Sequence, residues 1–329
     1  MISSRDSSPS EARVSLPFCP PSHREAQAMK HMPLFMSNNV PKYLFRIHCP
    51  VTVGETTMRS VIPPACLHRD AGTTDIFSMN PKEAASHLND HFRWYPSHES
   101  HCNFMSWTSS LLFAIQYGLY RHRGARVHVP LSDIRLFIID TSCFPKGTFI
   151  KDLEIMRYFA EYSDPQISRN LAAFTQLRQG KKGYYFGEYL TQGELDISGA
   201  CAEATMQSIM DHGLLELLEE LGDRLKWKKW AQIVVDLRET FGLRFETTDR
   251  ADVRRAITIA SGCFGDRFAI PIAAMLLALK NPRPDDQVIL RAFSALFTCE
   301  ERIPPLGLVI VLTSVSRGDQ GSETKRAED

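Results

Sequence analysis

The chain has 329 residues, 43% of them hydrophobic, and its 38 Lys and Arg balance its 38 Asp and Glu. That length supplies one large core or two ordinary ones without covalent staples, and a formal net charge of zero excludes recruitment of nucleic acid or an anionic membrane by a long-range field. The 8 cysteines stand singly, with no Cys-x-x-Cys pair, a pattern that fits a reducing compartment, cytoplasmic or nuclear, better than a disulfide framework.

Residues 1–40 are polar, rich in Ser and Pro and lacking an apolar leader core, and read as a disordered tail in which Met29 offers an alternative start. In KYLFRIH, Tyr43, Phe45 and Ile47 alternate with Leu44 and Arg46, the pattern of a partly buried strand. NPKEAASHLNDHF follows, with Asn80 as N-cap, Pro81 at N1 and Glu83 in the first turn, and predicts a helix from Pro81 to Phe92. In FMSWTSSLLFAIQYGLYR a strand bearing Phe104, Ser106 and Thr108 on one side leads into an apolar helix, with Ser109 or Ser110 as its cap. Capping needs one hydroxyl, and four are present. ARVHV and RLFIID read as strands, and SDPQISRNLAAFTQLRQG as a helix with Asp164 as cap, Pro165 at N1 and Gly180 at its end. YYFGEYLTQGELDI is extended and aromatic, with Gly187 and Gly193 marking a bulge or a close backbone approach.

Beyond Ala200 the pattern turns helical: AEATMQSIMDHGLLELLEEL, RLKWKKWAQIVVDLRETFG, RADVRRAITIASGCFG, FAIPIAAMLLALK and QVILRAFSALF follow in turn, with Gly242 and Gly265 as stops. LGLVIVL closes the series as a returning strand or the end of the helical part. The longest apolar runs fall short of the roughly 30 Å of hydrocarbon that a spanning helix must cross, so no membrane partner is expected. The reading is therefore an α+β part over residues 41–200, a helical domain over 201–315 and a short disordered tail over 316–329.

Arg46 in the first strand, the hydroxyl-bearing strand and Glu188 in the late aromatic strand resemble, in that order, the motifs of the ADP-ribosyltransferase superfamily. The resemblance is to its Arg, Ser-Thr-Ser, Glu clade, which includes the cholera-toxin-like enzymes, and the layout is closest to a fungal ADP-ribosyltransferase-like domain of unknown function. It implies a split β-sheet domain carrying a C-terminal all-helical domain. It also implies a reaction, cleavage of the nicotinamide–ribose bond of NAD with ADP-ribose passing to a protein or nucleic-acid group (mono-ADP-ribosyltransferase) or to water (NAD glycohydrolase).

Chemistry supports each carried-over role. A fixed carboxylate stabilises the sugar cation formed as nicotinamide leaves, which is the role of Glu188. A strand-borne guanidinium grips a pyrophosphate by paired charge-assisted hydrogen bonds, which is the role of Arg46. Ser106 and Thr108 hold the active-site geometry, with Ser106 also beside the NAD. One departure stands out. The acid or amide that such enzymes carry two residues before the catalytic Glu is replaced by Phe186, and Glu194 in QGE ranks second to Glu188 as the key acid. The alternative is therefore a catalytically inactive module that binds a protein partner through its helical domain. His87 and His91, four apart on one helical face, together with His98 and His101 match no closed zinc module, and no metal is assigned. Trp227 and Trp230 among Lys226, Lys228 and Lys229 read as an amphipathic helix with buried indoles ahead of a nucleic-acid face.

Overall fold

Strand formation begins where the alternation of Tyr43, Phe45 and Ile47 predicts it. The computed structural model describes residues 14–20, 40–67, 74–94, 101–124, 126–180, 185–242 and 249–280. Its first elements are β1 (Tyr43–His48), β2 (Glu55–Thr56), β3 (Ser60–Ile62), α1 (Pro64–Leu67), α2 (Pro81–Arg93), β4 (Phe104–Thr108) and α3 (Leu111–Arg123). Then come β5 (Arg135–Asp140), β6 (Ile150–Lys151), α4 (Asp152–Ala160), α5 (Leu171–Gln179), β7 (Glu188–Gln192), β8 (Leu195–Asp196) and β9 (Cys201–Thr205). The remaining helices are α6 (Met206–Asp211), α7 (Leu214–Leu217), α8 (Ala231–Gly242), α9 (Arg250–Phe264) and α10 (Asp266–Lys280). The class is α+β. None of these helices is long and apolar enough to cross a membrane.

The strands form a six-stranded sheet in the order β6-β7-β4-β1-β5-β9 and a three-stranded sheet in the order β2-β3-β8. At the heart of the larger sheet β4 pairs antiparallel with β7 over five residue pairs, from Phe104 opposite Gln192 to Thr108 opposite Glu188. Period-two alternation then divides the side chains between two faces. Phe104 and Leu190 enter a cluster with Leu88 and Phe92 of α2, Ile155 and Phe159 of α4 and Leu171 of α5. Met105, Trp107 and Tyr189 enter a second cluster with Val61 of β3 and Leu195 of β8. Trp107 is fully buried and its indole N–H is satisfied across the strands by the Thr191 hydroxyl, 3.1 Å away.

The chain divides into two compact units, one of residues 1–110 and 137–201 and the other of residues 111–136 and 202–329. The first holds the β4–β7 pair, the three-stranded sheet, α2, α4 and α5. Within the stretch read as a tail, Val14–Pro20 is part of it. Leu16 bridges to Gln192 beside β7, the Phe18 N–H donates to the Gly147 carbonyl at 2.9 Å, and the Phe18 ring is buried in the helix-side cluster. Gln192 locks this strap down, donating 2.7 Å to the Asp75 carboxylate and 3.2 Å to the Pro17 carbonyl.

In the second unit α3 lays Gly118 against Met206, where a Cβ would come within 2.8 Å of the sulfur. The Gln116 side-chain amide donates 2.8 Å to the Lys229 carbonyl. Phe113, Tyr117 and Tyr120, one stripe of α3, all touch the Trp230 ring. Lys280 ends α10 on Asp252 of α9, 2.8 Å apart.

Several local expectations change. CAEAT forms β9 instead of opening a helix, since its alternating buried and half-buried residues suit a sheet margin. The described residues of ARVHV form no strand. The helix predicted from Asp164 starts at Leu171, because Asn170 is the side chain that caps it, accepting from the Ala173 N–H at 2.9 Å, while Asp164 closes a turn on the Gln166 N–H. RLKWKKW makes one 3-10 turn at Lys226–Lys228 before α8 begins. QVILRAFSALF, LGLVIVL and the tail 316–329 lie outside the described residues.

Candidate active site

Glu188 opens β7 immediately after Gly187, whose φ of 67° is left-handed. A Cβ at Gly187 would collide with the Ser109 hydroxyl, so only glycine lets the two chains approach here. The approach is fastened on both sides. Ser109 N–H donates to the Gly187 carbonyl at 2.8 Å, and the Thr108 hydroxyl donates to the Phe186 carbonyl at 2.6 Å while accepting from the Ser110 N–H at 3.0 Å. Thr108 thus ties the hydroxyl strand to the residues just before Glu188, and it is 6% exposed.

The Glu188 side chain keeps 16% of its surface accessible and receives 2.7 Å from Arg178 Nη2. The Ser106 hydroxyl, on the same face of β4, is hydrogen-bonded to the carboxylate. Burial alone pushes this carboxyl up, but Arg178, the Ser106 hydroxyl and His91 outweigh it and leave Glu188 below the ordinary glutamate range, hence ionised at neutral pH.

Ser106 in turn meets His91, from the last turn of α2, with Oγ 2.8 Å from Nε2. The other ring nitrogen lies 3.1 Å from the Cys102 sulfur. Burial pushes His91 down to about 4, with Glu188 opposing and Arg46 and Arg178 assisting, so the ring is neutral at pH 7. Because an ionised Glu188 only accepts, Ser106 spends its proton there and its oxygen accepts from His91 Nε2–H. The hydrogen-bond network therefore assigns the proton to Nε2 and leaves Nδ1 to accept from Cys102 S–H.

Arg46 is 7% exposed. Its Nη1 donates 2.8 Å to the Ser106 main-chain carbonyl, its Nε 3.0 Å to the Thr56 hydroxyl, and its Nη2 faces the Met105 sulfur at 3.6 Å. It joins Ser106 through the backbone, while Glu188 joins Ser106 through the side chain. Glu194 is exposed beyond the end of β7.

Arg178, Asp152 and the role of His91 are what sequence reasoning missed. Arg178 Nη1 lies 2.9 Å from Asp152 Oδ2, and the Asp152 side chain is fully buried. Burial raises the Asp152 carboxyl to about 7 against the attraction of Arg178. Tyr185, also raised by burial, senses both carboxylates. Among the described residues no group of three or more His, Cys, Asp or Glu side chains is placed to hold a metal ion, and His98 lies outside them.

Comparison with known proteins adds one family. Residues 39–197 match a family described as a domain of unknown function (DUF7587), a span that includes Arg46, Ser106, Thr108 and Glu188. No curated protein and no solved structure gives a match.

Proposed function

We propose that this protein cleaves the nicotinamide–ribose bond of NAD, as a mono-ADP-ribosyltransferase toward a protein or nucleic-acid group or as a glycohydrolase toward water. The observation that carries the reading is the Ser106–Glu188 pair. A hydroxyl on one strand fixes an ionised, partly accessible carboxylate on the next, the arrangement that a developing sugar cation requires. As the C–N bond breaks, its electron pair leaves with neutral nicotinamide, positive charge spreads over C1′ and the ring oxygen, and Glu188 faces that charge. The acceptor then bonds to C1′ and releases its proton to solvent. Thr108 holds the loop before Glu188 in place, and Arg46 secures the Ser106 backbone. To grip the pyrophosphate as well, Arg46, 7% exposed, has to be uncovered.

NAD turnover scored as nicotinamide release tests this. Wild-type protein releases nicotinamide, and Glu188→Gln lowers the rate about 100-fold or more, the usual cost of removing one preorganised transition-state stabiliser. Equal rates in both proteins, or none in wild type, would sink the proposal.

A second reading is a catalytically inactive module that binds a partner. Phe186 in place of the second acid or amide, and the orientation of Arg46 toward Thr56 and Met105, favour it. Its signature is absence of NAD binding by calorimetry together with capture of a protein partner by the full chain.

A further inference from the structure

Arg178 bridges two carboxylates from different elements. One amino group of its fork takes Glu188, the first residue of β7, at 2.7 Å, and the other takes Asp152, the first residue of α4, at 2.9 Å. The guanidinium itself comes from the last turn of α5. It lies against the rings of Phe174 and Phe92, 5.1 and 5.7 Å from their centroids. Asp152 is fixed as well, because its second oxygen accepts the Leu153 N–H at 2.7 Å. A planar fork anchored at one end on a fully buried acid and walled by two rings has one orientation available, and that orientation delivers Nη2 to Glu188.

We infer that Arg178 is a positioning residue for Glu188, anchored by Asp152, and that it supplies through space the polar support that position 186 does not. The inference rests on the reading of Glu188 given above. Phe186 is 6% exposed and contributes its main-chain carbonyl to Thr108. Support for the carboxylate therefore comes from two other elements: Ser106 holds it from β4 and Arg178 from α5. Among the described residues, Arg178 and Ser106 bond Glu188, His91 acts on it through space, and Asp152 and Tyr185 lie behind.

The test uses the full chain and two observables. One is steady-state NAD turnover, and the other is the ¹³C titration of the Glu188 carboxyl, assigned by its loss in Glu188→Gln. Arg178→Met alone strands Asp152, so the main variant is Arg178→Met with Asp152→Asn, which leaves Glu188, still hydrogen-bonded to Ser106, as the one acid deprived of its cation, and Arg178→Lys is the conservative companion. In the double variant kcat falls about 100-fold with KM for NAD within about threefold. Its Glu188 titration moves from below the ordinary glutamate value to above it. Arg178→Lys keeps the titration low and recovers kcat only in part, since an ammonium lacks the fork. A double variant with wild-type kcat, a loss confined to KM, or an unmoved Glu188 titration overturns the inference. Where wild type itself releases no nicotinamide, the proposed reaction fails, and the titration alone still decides whether Arg178 sets the charge of Glu188.

Discussion

Two buried groups within one network pull the protein's pH response in opposite directions. His91 titrates near 4 when folded, against about 6.5 unfolded. The unfolded chain therefore binds the extra proton between those values, and stability is lost as pH falls from 6.5 to 4. Asp152 titrates near 7 when folded, against about 3.9 unfolded, so here the folded state binds the extra proton and stability is gained as pH falls from 7 to 4. Asp152→Asn, which can still accept from Arg178, should unmask the His91 slope and give a urea midpoint that drops from pH 6.5 to 4. His91→Gln should give the opposite slope. Parallel profiles for both variants and wild type would mean that neither group titrates as described. These residues also show what a sequence conceals. Arg46, Ser106 and Glu188 stood out as polar residues on strands, and the structure sets Ser106 between the other two, its carbonyl on Arg46 and its hydroxyl on Glu188. His91 stood in a crowd of histidines, and its partnership with Ser106 depends on the end of α2 meeting β4. Arg178 and Asp152 lie at helix termini 26 residues apart, and no local pattern joins them.

Single elements are fixed by a few joints, and two of these are testable. At the entry to β7, Gly187→Ala adds both left-handed strain and a collision with Ser109. A loss of about 1–3 kcal/mol in unfolding free energy is expected, together with nicotinamide release lowered through the displaced Glu188. Full stability in that variant would show that the loop is free to relax. At the other end of β7 the strap Val14–Pro20 buries Phe18 at 5% exposure, and Phe18→Ala should cost about 3–5 kcal/mol by denaturant titration. The strap was not legible, because LPFCP lies in a polar stretch and its burial depends on Gln192 and Asp75 far along the chain. By contrast α2 starts at Pro81 as expected, since Asn80 and Pro81 are local capping signals that tertiary structure did not override. CAEAT misled for the converse reason. Ala and Glu favour helices, and only a neighbouring strand makes them a strand.

Over the whole molecule, the chain enters the second unit at Leu111, returns at Phe137 and leaves again at Ala202. A fragment of residues 41–200 therefore keeps α3 and loses Met206, Lys229 and Trp230, which α3 packs against. Buried Leu112, Ile115 and Leu119 of that helix would lose their cover. The fragment should aggregate or show weak near-ultraviolet dichroism, whereas a cooperative monomeric melt would prove α3 dispensable. Composition drew a boundary near residue 200, but the excursion of 111–136 left no trace in composition because an apolar helix after a strand is also what an α+β part contains. Interleaving of this kind has a genetic meaning. Neither unit corresponds to one continuous stretch of coding sequence, so a recombination breakpoint inside 111–200 leaves both incomplete. Shuffling can move either unit only with a piece of the other attached, and lineages that keep the first unit whole must also inherit α3.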